Sequence, residues 1–452
     1  MKKKRKKRKL KWGRIILCLI ILVVVIILIS TLFKNGITIM RHDVDKYLAS
    51  NTNNVVLYTY EEDELKESTT LARGTKVKAD LSHNIKIDET EYVKIKYDKN
   101  EYYILKDKIV NNLDDIVKED YIYVRTASSI LENVDDPKIL GLAKKGEKLE
   151  VISYDEVDSD GYVKTYKIKQ NDIEGYIYGK YLVYNEEDAL LNYNQEVNDE
   201  IHSAIKNSYG GGDAIKLDFY PVEKPTFEDN KMPDAVYSLY LNVGVLSDSS
   251  IDSYIEFARD TKINAFVVDI SDNEAIGYPS EIMKKYSMTS YEHAINSYDE
   301  YKNAISKLKE AGFYVIGRIT VFKDDYYVTD NPSDAISSKS TGNPYYHTGG
   351  YWPSAYDRDV WYYKVKLALE AAEEFGFNEI NFDYVRFPDR LLSVESSLDM
   401  KNIYDEDKTE AIQRFLTYAK DELHKINVYL SADVFGEATN GSYTTAYGQY
   451  WP

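Results

Sequence analysis

The second half of the chain alternates short apolar runs with longer segments in which apolar residues recur at helical spacing. Five nearly continuous apolar runs, typical of strands in a parallel sheet, lie at 236–241, 265–270, 314–319, 379–383 and 428–434. Helical spacing covers 251–258, 301–311, 360–375 and 411–423. Strands and helices that alternate in this way predict a parallel sheet with right-handed crossovers.

A sheet of this kind closes into a TIM barrel after eight strand–helix units, which takes about 250 residues, or roughly 30 per unit. Here the sequence stops at Trp451 and Pro452, shortly after the fifth predicted strand. We therefore predict that residues 233–452 form a (β/α)8 TIM-barrel domain that is truncated at its C-terminal end. A five-stranded open sheet is the alternative.

Two stretches of short alternating strands precede this domain, and they resemble each other. Val55–Tyr58 corresponds to Tyr121–Val124, and Tyr92–Ile95 corresponds to Tyr162–Lys164, at an offset of 66 to 70 residues. The spacing predicts two small all-β barrels. The recurring pattern of G-x-x-hydrophobic, Y-V-K and G-Y-I is similar to that of bacterial SH3-like domains. That resemblance implies modules that bind cell-wall peptide or pack against an enzyme domain; the alternative is a spacer.

These patterns divide the chain between residues 34 and 232 into four segments. The predicted SH3-like domains occupy 55–112 and 120–184. A polar stalk at 34–54 precedes the first domain, and a glycine- and proline-containing linker at 185–232 follows the second.

The chain begins with a strongly basic segment followed by an uncharged apolar one. Residues 1–14 carry ten positive charges, and the 19 residues from Ile15 to Phe33 carry none. A helix of that length spans roughly 28 Å, enough for a bilayer core, and it is longer than the apolar region of a signal peptide. We predict an uncleaved transmembrane helix with a cytoplasmic N-terminus and an extracellular bulk, placing the protein in the cell membrane. The alternative is a buried core helix.

Charge and cysteine content exclude several classes of partner and site. The whole chain has a net charge of −18 and its first fourteen residues contribute +10, so that the rest carries −28. An acidic exterior argues against nucleic acid as a partner. The single cysteine, Cys18, lies in the apolar segment, which excludes a disulfide framework and a cysteine-based zinc site elsewhere.

Charged residues follow the predicted strands at their carboxyl ends, where ligands bind in parallel α/β proteins. They are Asp269 and Asp272, Arg318 and Asp324, Asp383 and Arg386, and Asp433 and Glu437. Carboxylates on adjacent strand ends can form the pair that glycoside hydrolysis needs, about 5–5.5 Å apart in retaining enzymes. A neighbouring Arg favours the ionised carboxylate, and the proton donor needs a raised pKa. The alternative is that Asp383 and Arg386 form a buried structural ion pair.

The connection after the third predicted strand, residues 321–360, is unusually long and rich in aromatic residues. Rings such as that of Trp352 can stack on sugars, although a lid packed on the barrel is the alternative. The sequence has no HExxH, GxSxG, P-loop or GxGxxG motif, so protease, esterase and nucleotide-binding functions lack support. Six scattered histidines disfavour a metal-dependent polysaccharide deacetylase, and we expect no metal and no cofactor.

Four blocks resemble a glycoside hydrolase family with a TIM-barrel fold, DUF4015, which is distantly similar to α-amylase-like enzymes. They are Phe266–Asp272, Arg318–Asp324, Gly376–Pro388 and Ser431–Gly436. The resemblance implies that Asp383 is the nucleophile and Asp433 the acid/base. Because α-amylase-like enzymes have Glu on that strand, Glu437 is the alternative acid/base. The expected substrate-binding residues are Asp269, Arg318, Asp324, Tyr384, Arg386 and Trp352.

Together these features predict a membrane-anchored extracellular glycoside hydrolase that acts on a cell-envelope or extracellular polysaccharide through a carboxylate pair. The competing hypothesis is a non-catalytic protein on a TIM-barrel fold that binds cell-wall glycan or serves as a scaffold.

Overall fold

The structure is a computed structural model that describes residues 43–191, 216–440 and 446–450. The chain forms two compact units. Among the described residues, the first unit comprises 43–120 together with 154–164, and the second comprises 121–153 and those from 165 onward.

The first seven strands form one antiparallel sheet in the order β3-β2-β6-β5-β4-β1-β7. They are β1 (Val44–Leu48), β2 (Asn54–Glu61), β3 (Glu64–Ala72), β4 (Lys76–Ile87), β5 (Thr90–Tyr97), β6 (Asn100–Leu105) and β7 (Ile109–Val110). Alternating residues such as Val55, Leu57, Val93 and Ile95 point to a common core. The predicted stalk therefore contains the first strand of this sheet.

The next seven strands repeat the same arrangement, in the order β10-β9-β13-β12-β11-β8-β14. They are β8 (Tyr121–Val124), β9 (Ser128–Leu131), β10 (Ile139–Ala143), β11 (Lys148–Val157), β12 (Val163–Gln170), β13 (Ile173–Tyr178) and β14 (Leu182–Val183). Each strand lies at the position of the strand seven earlier in the first sheet. The repeat is thus present in the topology, and the SH3-like assignment stays a prediction.

A mainly parallel sheet forms the centre of the α/β domain, in the order β15-β16-β18-β20-β22, with β17 antiparallel to β16. Its strands are β15 (Ser238–Leu241), β16 (Ala265–Asp272), β17 (Ala275–Ile276), β18 (Tyr314–Thr320), β20 (Glu379–Asp383) and β22 (Tyr429–Ala432). Two further short strands, β19 (Ser337–Ser338) and β21 (Leu398–Asp399), pair with each other. All five predicted strands of the domain are confirmed.

Helices follow the strands, and their ends are set by local hydrogen bonds. They are α1 (Glu186–Leu190), α2 (Asp248–Arg259), α3 (Glu281–Tyr286), α4 (Met288–Glu292), α5 (Tyr298–Glu310), α6 (Asp325–Asp330), α7 (Arg358–Phe375) and α8 (Lys408–Lys425). Ser297 and Glu300 form a capping box at the start of α5. Gly376, in the left-handed conformation at φ +70°, ends α7. The four predicted helices correspond to α2, α5, α7 and α8.

The long helices pack on one face of the parallel sheet. That face presents Phe266, Val315 and Phe382 to the main hydrophobic core, which includes apolar residues of α2, α5, α7 and α8. On the opposite face, a small cluster of Ala265, Tyr314, Ile316 and Tyr429 is covered by Phe227 of the preceding connection. The ring of Phe227 lies 4.8 Å from that of Tyr429.

The second antiparallel sheet packs against α7 and α8 within the second unit. Tyr178 and Tyr181 donate hydrogen bonds to Glu422 (2.8 Å) and Asp421 (2.5 Å) of α8. Burial raises the pKa of Glu422, so the contact depends on a carboxyl that is removed from water. The predicted linker also takes part, since Asp218 accepts a hydrogen bond from Thr126 at 2.5 Å.

The predicted (β/α)8 TIM barrel is wrong for the part of the chain that the structure describes. A barrel needs its first and last strands to pair, whereas β15 and β22 are the two edges of an open sheet. The five parallel strands match the alternative open sheet. An apolar run shows that a strand is buried, but it does not show whether the sheet closes into a barrel.

The structure does not support the predicted transmembrane helix or the location in the cell membrane. Across residues 43–191, 216–440 and 446–450, no helix combines the length and apolarity needed to cross a bilayer. The predicted span at 15–33 and the basic segment at 1–14 lie outside these residues, as do 34–42 of the stalk and 192–215 of the linker.

Candidate active site

The strand register places four charged residues on the same face of the sheet. Arg318 is paired with Asp269 on one side and with Asn381 on the other. Asn381 is in turn paired with Ser431. Side chains alternate between faces with a period of two, so Asp383 and Asp433 share this face with Arg318. Both lie at the carboxyl ends of their strands, on the face opposite the long helices.

The guanidinium of Arg318 binds three carboxylates. Its Nη1 lies 2.7 Å from Asp269 Oδ1 and 3.5 Å from Asp272 Oδ2, and its Nη2 lies 2.5 Å from Asp383 Oδ2. Burial opposes the charge of Arg318, but the bonds to Asp383 and Asp269 outweigh it and raise the pKa of Arg318. Arg318 therefore fixes the position of Asp383 and supplies its counter-charge.

Asp269 is buried beneath this cluster and acts through Arg318. Its side chain is 1% exposed, and its Oδ2 accepts a hydrogen bond from the hydroxyl of Tyr240. Burial raises the pKa of Asp269, and the hydrogen bonds from Tyr240 and Arg318 oppose that rise. The Tyr301 hydroxyl donates to the backbone oxygen of Asp269 at 2.9 Å, which holds the strand end in place.

Asp433 is the second carboxyl at the sheet edge, and it is accessible to solvent. Its backbone N–H donates to Phe382 O at 2.9 Å, which ties its backbone to the strand that carries Asp383. Partial burial raises the pKa of Asp433, and the negative charge of Asp383 raises it further, whereas the Asn381 hydrogen bond lowers it. A carboxyl of this kind retains its proton to higher pH than an ordinary Asp.

A chain of hydrogen bonds leads from Asp433 into the sheet. Asn381 Nδ2 donates to Asp433 Oδ1 (3.2 Å) and to Ser431 Oγ (3.0 Å). Ser431 Oγ donates to Glu379 Oε1 at 2.5 Å, and the Tyr314 hydroxyl donates to Glu379 Oε2 at 3.0 Å. The chain fixes the amide of Asn381 and so orients the carboxyl of Asp433.

Arg386 pairs with Asp389 and not with Asp383, so the alternative of a structural ion pair between Arg386 and Asp383 is wrong. Its guanidinium contacts Asp389 at 3.0 Å and lies 5.0 Å from the ring centres of both Trp352 and Tyr384. It also lies 5.1 Å from the ring of Phe435. Arg386 thus joins the aromatic side chains beside the site by cation–π contacts.

Tyr384 adopts a left-handed backbone conformation, with φ +49°, immediately after the catalytic candidate Asp383. Its N–H donates to Asp383 Oδ1 at 2.6 Å, and its backbone oxygen accepts from Phe322 at 3.2 Å. Such a conformation is uncommon for a non-glycine residue and is retained where surrounding contacts fix it. Here it directs a backbone N–H at the carboxylate.

Three predicted site residues lie apart from the four that the register brings together. Asp324 is fully buried, where it caps α6 and pairs with Lys364 at 2.6 Å. Trp352 is 1% exposed and packs in an apolar cluster with Ile336, Leu391 and Leu398. Glu437 is exposed on the 3₁₀ helix at 436–440. Much of the aromatic connection at 321–360 is therefore packed into the fold, which matches the alternative that it forms a lid.

Four residues of the site were not predicted from the sequence: Tyr240, Glu379, Asn381 and Ser431. The last three are polar residues that alternate with Ile380, Phe382 and Leu430 in buried strands. That alternation was the available signal, because a polar residue within an apolar strand needs a hydrogen-bonding partner. Within the described residues, no cluster of His, Cys, Asp and Glu could hold a metal ion.

Comparisons with known proteins concern the α/β domain. Residues 238–452 match the family DUF4015, described as "Putative glycosyl hydrolase domain". A comparison with curated proteins gave no match.

Among solved structures, a hypothetical protein from Ruminiclostridium thermocellum is 32% identical, with 44% of this chain and 98% of that one covered and a TM-score of 0.37. A chitobiase from Flavobacterium johnsoniae is 14% identical, with 44% and 31% covered and a TM-score of 0.35. A maltogenic α-amylase from Thermotoga neapolitana is 11% identical, with 44% and 46% covered and a TM-score of 0.30. The chain spans less than half the length of these last two.

Proposed function

Because the chain belongs, through residues 238–452, to the DUF4015 family described as "Putative glycosyl hydrolase domain", we propose that its α/β domain hydrolyses glycosidic bonds of a polysaccharide. The observation that carries the proposal is a pair of carboxyls in different environments at adjacent strand ends. Asp383 is bound to Arg318, and the pKa of Asp433 is raised. Glycoside hydrolysis needs one carboxylate and one carboxylic acid at the scissile bond.

Asp383 is the proposed nucleophile or base. Its Oδ2 is bound to Arg318 and its Oδ1 to the backbone N–H of Tyr384, so both oxygens are held in fixed directions. Its side chain is 25% exposed, which leaves it open to substrate from the solvent side. In a retaining reaction Asp383 would attack the anomeric carbon; in an inverting one it would remove a proton from the attacking water.

Asp433 is the proposed acid. It would pass its proton to the glycosidic oxygen as the bond to the anomeric carbon breaks, so the leaving sugar departs as a neutral alcohol. The raised pKa of Asp433 supports this role, because partial burial and the charge of Asp383 both favour the protonated form. Glu437 remains the alternative acid. It is the weaker candidate because it lies four residues beyond Asp433, on the 3₁₀ helix at 436–440 and not at the strand end.

The surroundings of the pair suit a sugar substrate. Tyr240 is 49% exposed on the same face as Asp383, and its ring offers a surface for stacking. Arg318 and the buried Asp269 act as positioning residues, because their polar atoms are taken up by each other and by Asp383. Tyr384 and Arg386 are proposed to bind substrate beside the pair.

The proposal is tested by incubating the full chain with cell-wall polysaccharides and with storage glycans and counting new reducing ends. Wild-type protein should release reducing ends from at least one glycan, and Asp383→Asn should release none. Asp433→Asn should also be inactive, whereas Glu437→Gln should retain activity if Asp433 is the acid.

The competing function, a glycan-binding scaffold, makes a different prediction for the same samples. Every variant including the wild type would then leave reducing ends unchanged while the protein still sediments with insoluble glycan. That outcome would remove the catalytic roles proposed for both carboxyls.

A further inference from the structure

A cleft lies between the loops at 125–127 and 144–145, the chain at 216–222 and helix α8, all within the second unit. Its volume is about 650 Å³, within the range of roughly 300–1,000 Å³ that small-molecule sites occupy. None of the candidate active-site residues lines it. The cleft is therefore a separate feature of the molecule.

Cationic side chains outnumber anionic ones around this cleft. Six cationic residues line it, against Asp218, Asp405 and Glu410. They are Arg125, Lys144, Lys145, Lys216, Arg414 and Lys420. This excess is opposite in sign to the chain as a whole, whose net charge is −18.

Three of the six cations are matched by carboxylates. Arg125 lies 3.9 Å from Asp218, and Arg414 lies 2.8 Å from Glu410. Lys216 lies 3.5 Å from Asp407. Beside the other three lysines the lining has one remaining carboxylate, Asp405, so the excess of positive charge rests on these lysines.

Lys144, Lys145 and Lys420 have no carboxylate within 4.0 Å in the part of the chain that the structure describes. Lys144 and Lys145 donate to the backbone oxygens of Tyr404 (2.8 Å) and Leu191 (2.6 Å), which are neutral. Among the same residues, the side-chain amine of Lys420 has neither a hydrogen bond nor an ion pair. Burial lowers the pKa of both Lys145 and Lys420, which indicates cations that lose water without gaining a full counter-charge.

We propose that this cleft binds a small organic anion, of monosaccharide size, whose phosphate or carboxylate group lies between Lys145 and Lys420. A negative group there supplies the counter-charge that the protein lacks, and charge-assisted hydrogen bonds of this kind are the strong ones. The volume exceeds that needed for the anionic group alone. The remainder of the ligand lies beside Leu217 and Tyr220, which also line the cleft.

The test is isothermal titration calorimetry of the full chain at low ionic strength with glucose 6-phosphate, glucuronate and glucose. The two anions should bind and glucose should not, and the tighter anion identifies the preferred group. Lys420→Met should weaken anion binding by about tenfold or more, the scale of a lost hydrogen bond to a charged group. Asp218→Asn removes a negative charge from the lining and should tighten binding.

Lys284→Met is the matched control, because Lys284 is an exposed lysine outside the cleft that pairs with Glu281 at 3.1 Å. It should leave anion binding unchanged. Three results would each overturn the proposal: heat signals from neither anion, equal binding of glucose, or equal losses in Lys284→Met and Lys420→Met. The opposite directions expected for Lys420→Met and Asp218→Asn separate loss of the site from loss of folding.

Discussion

The two faces of the parallel sheet are made from alternate residues of the same strands, but one face carries apolar side chains and the other carries charged ones. Phe266, Val315 and Phe382 face the long helices and pack in the main core. Asp269, Arg318 and Asp383 face the other way and bind one another through ion pairs. Phe382 and Asp383 are consecutive residues, so one step along the chain separates the two environments.

The difference assigns separate tasks to the two faces. Burial of an apolar side chain stabilises a fold by about 1.5–3 kcal/mol, and that gain belongs to the helix-covered face. Ion pairs of buried residues are weak evidence for stability, because removing each charge from water costs much of what the attraction returns. Clusters of charges with shifted pKa values are instead typical of functional sites. The comparison predicts that substitutions on one face change folding and on the other change turnover.

The largest effect is expected on turnover, from Asp383→Asn. The amide keeps the size of the side chain but cannot act as nucleophile or base, so we expect kcat to fall on the order of 10⁴-fold or more. The free energy of unfolding should change by only about 1 kcal/mol, since Arg318 keeps Asp269 and Asp272 as partners. Reducing-end assays and urea unfolding measure the two quantities. Equal losses in both would contradict the assignment of separate tasks to the two faces.

The neighbouring substitution, Phe382→Ala, should have the opposite profile. Phe382 is fully buried, and its ring centre lies 5.3 Å from that of Phe415 in α8. Truncation leaves a cavity and should lower the free energy of unfolding by about 3–5 kcal/mol. Phe382→Leu is the milder control and should cost less. Any Phe382→Ala protein that remains folded at low temperature should keep a wild-type KM; a raised KM would link the core face to substrate binding.

The helix-covered face was predictable because its signal is local. Nearly continuous apolar runs mark buried strands, and apolar residues at a period of 3.6 mark helices, whatever lies far away in the sequence. The five strands and four helices follow from that pattern. Barrel closure depends instead on pairing between the first and last strands. No local pattern encodes that pairing, and the predicted barrel was wrong.

The charged face was predictable only in part, because its contacts depend on strand register. Arg386 is three residues from Asp383 in sequence, yet Arg318, 65 residues away, forms the ion pair. The register between β18 and β20 brings Arg318 to Asp383, whereas Arg386 pairs with Asp389. Asp324 shows a second limit, since a charged residue after a strand can be a buried helix cap. The sequence identified which charged residues follow the strands, but the pairing of the strands determines which of these residues contact each other.

A smaller effect, on the pH dependence of activity, is expected from Asn381→Leu. The Asn381 amide donates to Asp433 and lowers the pKa of Asp433, so its removal should raise that pKa. A proton donor is active below its pKa, and activity falls as pH rises through it. The basic limb of the kcat profile should therefore move to higher pH in Asn381→Leu. An unmoved limb would show that another group, such as Glu437, donates the proton.

The smallest effect is expected from Tyr240→Phe, at the edge of the charged face. This change removes the hydroxyl that donates to the buried Asp269 and keeps the exposed ring. One hydrogen bond to a carboxylate is lost, so the free energy of unfolding should fall by about 1–2 kcal/mol.

The hydrogen bond from Tyr240 also lowers the pKa of Asp269, so its loss should raise that pKa further. A raised folded-state pKa makes the carboxylate form unfavourable. Stability should therefore be lost mainly as pH rises through the pKa of Asp269, and Tyr240→Phe and wild type should converge in acid, where Asp269 is protonated in both folded and unfolded chains. Urea unfolding at several pH values measures this convergence. A stability difference independent of pH would mean that the Tyr240 hydroxyl stabilises the fold without acting on Asp269.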